Sequence, residues 1–142
     1  MAQTVDDALR SATLYSDDLL YVMLSLPPAG IVAAASVLAE VGEPFVAMIA
    51  DKDEVTLVLT EEEAAEFSRR LVGARKSETR YRLITFDVEL EPTLVGFMAR
   101  VSAVLAGAGV TIMPFAAFAR DHLLVPENQY EQAMTALRSL QR

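Results

Sequence analysis

The 142-residue chain predicts an α+β fold made of two interdependent β-α-β-β-α units, their antiparallel sheets covered by helices. Three observations lead there. Apolar runs of strand length and stretches of helical periodicity follow one another in the same order in each half. LAEVG at 38–42 returns as LAGAG at 105–109, an offset of 67, and TLVLTEEE at 56–63 returns as HLLVPENQ at 122–129, an offset of 66. One residue lost between the two motifs accounts for the difference, so their shared order and spacing point to duplication.

Taken in order, DDALRSA (residues 6–12) reads as a short helix that Thr4 can cap, with Asp6 and Asp7 in the first turn. LLYVMLSL (19–26) is a strand ended by Pro27 and Pro28. GIVAAASVLAEV (30–41) places Ile31, Ala34, Val37 and Leu38 on one helical face, and Gly42 offers a stop. PFVAMIA and EVTLVLT are strands joined by the polar turn DKD. EEEAAEFSRRLV (61–72) reads as a helix that Thr60 caps, with three glutamates at its start and two arginines near its end. Residues 73–79 are polar and read as the connection between halves.

The second half begins with RYRLITFDVE (80–89) as a strand. Residues 94–108 place Leu94, Met98, Val101, Leu105 and Ala108 on one helical face, with Gly109 as the exit. VTIMPFAAF and DHLLV are the next strands, and Pro114 argues for an edge or bulge in the first. Pro126 can occupy the first turn of a last helix, PENQYEQAMTALRSL (126–140). The implied domains are a lead-in at 1–18, a first unit at 19–73, a connection at 74–80 and a second unit at 81–142. A three-stranded sheet leaves exposed edges, so the units are expected to pair edges or exchange strands, and a homodimer could extend the arrangement.

Composition narrows the function. There is no Cys and only one His, His122, which excludes disulfides, thiolate sites and a multi-histidine metal centre within one chain. No cofactor is expected. Residues 1–71 hold 13 acids and 4 bases, residues 72–142 hold 7 acids and 8 bases, and the net charge is −8. That field opposes phosphate backbones, and the only basic cluster, Arg75, Lys76, Arg80 and Arg82, is interrupted by Glu78; no nucleic-acid partner is expected. The start of the chain lacks a basic, then apolar, secretion pattern, and no apolar stretch approaches a membrane span. A cytoplasmic protein without a membrane partner is the expectation.

The second half carries a family signal: Glu91–Pro92–Thr93–Leu94–Val95–Gly96, the helix through Leu105, Ala108–Gly109–Val110, and Asp121–His122–Leu123–Leu124–Val125–Pro126. In this order the motifs resemble the ACT-domain family, and more closely its tandem ACT-like branch, over about residues 81–140. Residues 19–72 resemble a divergent ACT-like unit. The resemblance implies a ferredoxin-like β-α-β-β-α-β plan, usually paired with another copy. It also implies a non-catalytic regulatory role in which amino acids or related metabolites bind at interfaces and bias an enzyme or signalling partner.

The chemistry of residues 91–97 suits such a role. A helix beginning at Leu94 would present unsatisfied amides to a carboxylate, and Thr93 could cap it or donate its hydroxyl to a ligand. Gly96 permits close approach. By resemblance, Thr93, Leu94, Val95 and Gly96 border a ligand, and Asp121 matches an acidic position that could pair with an amine. The chain lacks the Pro–Gly pair of the common ACT loop, and Ser25–Leu26–Pro27–Pro28–Ala29–Gly30 departs further, which argues against two equivalent sites.

The structural alternative assigns Thr93 to capping, Gly96 to helix packing and Asp121 to a turn or a pair with Arg120. His122 neighbours Asp121, but adjacent strand residues point to opposite faces, so the two do not form a catalytic dyad. His122 and Tyr130 read first as packing residues. Glu61, Glu62 and Glu63 are explained by a helix start, and no phosphate loop or nucleophile motif accompanies them. Small-ligand regulation is the leading reading, a constitutive interaction module the alternative, and an enzyme the weakest.

Overall fold

The computed structural model of the protein describes residues 2–42 and 44–142. The elements in chain order are α1 (Val5–Ser11), β1 (Thr13–Tyr15), β2 (Tyr21–Leu26), α2 (Ile31–Val41), β3 (Ala47–Ala50), β4 (Val55–Thr60), α3 (Glu61–Glu66), β5 (Arg75–Lys76), β6 (Tyr81–Asp87), α4 (Phe97–Gly107), β7 (Met113–Ala116), β8 (Asp121–Pro126) and α5 (Tyr130–Ser139). Single 3₁₀ turns at Pro28–Gly30 and Glu127–Gln129 precede α2 and α5. Two compact units result: Leu19–Arg80, and a second assembled from Met1–Asp18 with Tyr81–Arg142.

The unit Leu19–Arg80 orders its strands β5-β2-β4-β3, every neighbouring pair antiparallel. With α2 and α3 between them in sequence, this is the β-α-β-β-α-β ferredoxin-like plan. Its core joins Val22, Leu24 and Leu26 of β2 to Val55, Leu57 and Leu59 of β4, covered by Ala34 and Val37 of α2 and by Ala64 of α3. The alternation along β2 and β4 puts these side chains on the helix-covered face. Ile31, expected on the buried face of α2, is 41% exposed at the helix start, while Ala34 and Val37, one and nearly two turns on, are fully buried.

Two sequence expectations change here. The helix expected over 61–72 ends at Glu66. Thr60 and Glu63 form a reciprocal capping box at its start. Past Glu66 the chain tightens into turns, with Arg70 N donating to Phe67 O and Leu71 N to Ser68 O, and these drop Leu71 into the core. Arg70, expected near a helix end, instead donates to Ser36 Oγ at 2.6 Å and pairs with Glu40, both on α2. The polar stretch after it contains β5, which pairs with β2 at Leu24↔Lys76 and Ser25↔Arg75.

The second unit orders its strands β1-β6-β8-β7, again antiparallel throughout. Residues 81–139 supply β-α-β-β-α, and β1 from the start of the chain takes the place that β5 fills in the first unit. Strand β1 carries no readable sequence signal, since its three residues hold too little pattern. Ile84, Phe86, Leu123 and Val125 form the sheet side of this core, with Val101 and Leu105 of α4, Ala133 and Leu137 of α5, and Ala8, Leu9 and Ala12 of the lead-in. Pro114 lies on β7, the outermost strand of this order, where its missing N–H costs no ladder bond within the unit. Pro126 still belongs to β8, and the last helix begins at Tyr130 rather than at Pro126. Among the described residues, no helix is long and apolar enough to cross a membrane.

Candidate functional site

The strand β6 ends at Asp87, and residues 88–96 cross the end of the sheet before α4 begins. Two anchors fix this crossing. Leu90 N donates to Ala119 O at 2.7 Å, drawing it against the β7–β8 turn, which is itself closed by Ala117 N donating to Arg120 O. On its other side Gln3 holds it: Gln3 N donates to Glu91 Oε2 at 3.1 Å, Glu91 N to Gln3 Oε1 at 2.9 Å, and Gln3 Nε2 to Glu89 O at 3.0 Å. Between the crossing and the turn lies an open cleft of about 370 Å³. Leu90, Leu94, Phe97 and Met98 give it apolar walls, and Gly96 and Asp121 border it.

Three of the five residues singled out by sequence therefore meet at one cleft: Leu94, Gly96 and Asp121. Thr93 and Val95 do not line it, and both are exposed. The reason is local geometry. Helix α4 starts at Phe97 rather than Leu94, because Leu94 N closes a turn onto Glu91 O and the chain then swings through Gly96 at φ +95°. Gly96 is the N-cap, so Thr93 is too far upstream to cap anything. Without a side-chain cap, the opening amides of α4 at Phe97, Met98 and Ala99 stay open to an external acceptor, favoured by the helix field.

Asp121 opens β8 opposite Ala116. Burial pushes its carboxyl above the ordinary 3.8, with only partial relief from His122. Glu91 is occupied by Gln3, and Arg120 Nε sits 3.4 Å from Asp87, within ion-pairing range but without hydrogen-bond alignment. The Asp121–Arg120 pair offered by the structural alternative is thus not formed, and Asp121 is the carboxylate left facing the cleft among the described residues.

His122 points to the other face of the sheet, where its Nδ1 shares a hydrogen bond of 2.8 Å with Thr85 Oγ1. Burial holds its imidazole below the ordinary 6.5. Tyr130 packs at the start of α5 with the Arg82 guanidinium 3.9 Å from its ring centroid. Neither belongs to the cleft. Sequence reasoning missed Gln3, Leu90 and Ala119. Leu90, a lone apolar residue between Glu89 and Glu91, carried a readable signal; Gln3 meets its partners 86 and 88 residues away and carried none.

The first unit has a cleft of about 360 Å³ after β2, lined by Ser25, Pro27, Glu54 and Arg75 among others. No helix start borders it, since a 3₁₀ turn separates β2 from α2, and Ser25 Oγ donates to Glu54 Oε1 at 2.6 Å. The two clefts are therefore not equivalent. No group of His, Asp and Glu suited to a metal ion occurs among the described residues.

Comparison with known proteins agrees with this geometry. The ACT-domain pattern matches residues 76–139. Among solved structures, a protein of unknown function from Vibrio cholerae, described as a possible transport protein, is 27% identical with a TM-score of 0.73, over 94% of this chain and 93% of its own. The regulatory subunit of aspartate kinase from Thermus thermophilus, in its ligand-free form, shares the fold at 18% identity and a TM-score of 0.65, over 92% and 99% of the two chains. An Agrobacterium tumefaciens protein is similar at 21% identity and a TM-score of 0.72, over 92% and 89%. No curated protein sequence matches the chain. With its ferredoxin-like plan, its cleft between the β6–α4 crossing and the following hairpin, and its sequence match over 76–139, that segment of the chain belongs to the ACT-domain family.

Proposed function

We propose that the protein is a non-catalytic regulatory module that senses an amino acid or a closely related zwitterion at the cleft beside Gly96. The observation that carries this reading is the pairing of opposite polarities on one apolar-walled cleft: the uncapped amides opening α4, and the desolvated carboxylate of Asp121. A ligand carboxylate satisfies the amides, and a ligand ammonium returns to Asp121 the stabilisation that burial removes. The likeness in fold to a protein described as the regulatory subunit of aspartate kinase supports a regulatory role. Output follows from differential affinity: the ligand ties the crossing to the β7–β8 turn and favours the self-association or partner-bound state in which that geometry is present.

Calorimetry of the purified protein against a panel of amino acids tests this. One panel member should bind saturably, and Asp121→Asn should weaken it by about tenfold or more, the scale of a charge-assisted hydrogen bond. Affinity should also fall as pH drops through the carboxyl's titration, which lies above 3.8. Silence across the panel, or an Asp121→Asn variant that binds unchanged, would rule the reading out.

The alternative, a constitutive interaction module, draws on Phe118, which lines the cleft at 102% exposure, and on Val95, 86% exposed beside Gly96. In that reading a partner or second copy covers them with or without a small ligand. Sedimentation that is concentration-dependent but indifferent to every amino acid would favour it.

A further inference from the structure

We propose that the unit Leu19–Arg80 carries a second binding site, which takes small aliphatic carboxylates that lack an ammonium group. The site is a cleft of about 260 Å³ beneath the end of α3 and beside β5. It arises from a mismatch in the fold. Cross-strand partners point to the same side of a sheet, so the pair Leu24↔Lys76 places Lys76 on the face where Leu24 is buried in the core. A large apolar residue is expected at such a position, and an ammonium stands there instead.

The helix opposite does not fill the gap. Helix α3 has six residues and turns Ala64 and Ala65 toward the cleft, and the chain then folds back to bury Leu71. The floor and walls are therefore alkyl groups from Leu24, Ala64, Leu71 and Ala74, while Ser68 and Lys76 stand at the mouth. Among the described residues Lys76 has no ion-pair partner and Ser68 Oγ no hydrogen-bond partner.

An apolar body with a cation and a hydroxyl at its opening matches an aliphatic carboxylate: the tail displaces water from the alkyl walls, and the head pairs with Lys76 Nζ. Among the described residues no Asp or Glu lines the cleft, so the ammonium of an amino acid would lose hydration there without a partner. The cleft beside Asp121 differs in offering a carboxylate to a ligand ammonium. A cleft of about 260 Å³ has room for a small ligand of about eight or nine non-hydrogen atoms.

The experiment is an amide NMR titration of the whole protein with three isosteric probes: isocaproate, leucine (the same skeleton bearing an ammonium) and isohexanol (the same tail without charge). Isocaproate should shift the amides of residue 24 and residues 64–76, while those of residues 90–99 stay in place. Leucine and isohexanol should bind there about tenfold more weakly or not at all. Lys76→Gln should weaken isocaproate by a similar factor; Lys76 is exposed, so its replacement leaves the core intact. Ala65→Leu, also at an exposed position, should fill the cleft and remove the shifts. The proposal is overturned if isocaproate at millimolar concentration leaves residues 64–76 unmoved, as in a hydrated groove with Lys76 lying along it. It is equally overturned if Lys76→Gln binds as tightly, or if leucine competes on equal terms. Because the amides followed are not those of the Asp121 cleft, failure here leaves the amino-acid reading standing, and the converse holds.

Discussion

Gly96 holds φ at +95°, a conformation that costs an L side chain about 1–2 kcal/mol. A Cβ there would meet only Val5 Cγ2 at 4.0 Å, so the cost of Gly96→Ala is backbone strain rather than a clash. Urea denaturation should show a loss of about that size. Asp121 and His122 act in opposite directions. A raised carboxyl contributes most below the ordinary 3.8 and loses that contribution as pH rises through its elevated value, so Asp121→Asn should be at least as stable as the parent at neutral pH. Preserved stability with lost ligand binding would separate a binding role from a folding one. A depressed imidazole contributes fully above the ordinary 6.5 and loses ground as pH falls below it. His122→Gln should therefore flatten the pH dependence of the unfolding midpoint below the ordinary 6.5. The opposite facing of these two neighbours was legible from strand alternation alone. Which of them meets the cleft was not, because that depends on where the helices lie.

At the scale of elements, the crossing from β6 to α4 is held by Gln3 more than by its own sequence. Replacing Gln3 with Ala removes two hydrogen bonds made by its side chain, to Glu89 and Glu91, and leaves the backbone bond to the Glu91 carboxylate. Amide hydrogen exchange should quicken at residues 89–96 by about fivefold to tenfold, while α4 beyond its first turn stays protected. The caps were more readable. Thr4 and Thr60 both accept from the amide three residues on, as their sequence context predicts, and Thr60→Ala should cost about 1 kcal/mol. Helix length was the weak point. Residues 67–72 keep helical periodicity and yet leave the helix, since burying Leu71 and linking Arg70 to α2 outweigh the few tenths of a kcal/mol per residue that propensity supplies. Helix α4 starts three residues late for a similar reason: Gly96 at positive φ cannot continue a right-handed helix backwards to Leu94.

For the whole molecule, the telling feature is that one unit is discontinuous in sequence. Residues 1–18 pack with residues 81–142, where β1 supplies a strand and Ala8 and Leu9 are 1% and 2% exposed. Leu9→Ala should accordingly cost about 2–5 kcal/mol in unfolding, as for a central core residue; a peripheral lead-in would give less than about 0.5 kcal/mol. By itself the sequence determined the two β-α-β-β-α patterns, the family resemblance of the second, the position of the glycine-bearing loop and the exclusion of thiolate chemistry. Each of these depends on local periodicity or on residue type, which a single chain displays. Only the tertiary structure decided that β1 completes the second unit, that Gln3 clamps the loop, that Thr93 and Val95 stay outside the cleft, and that Lys76 stands on a core face. The place of Thr93 and Val95 follows from the turn at Gly96; the other facts rest on contacts between residues tens of positions apart, and no local pattern encodes which distant partner a backbone amide or a strand edge will find.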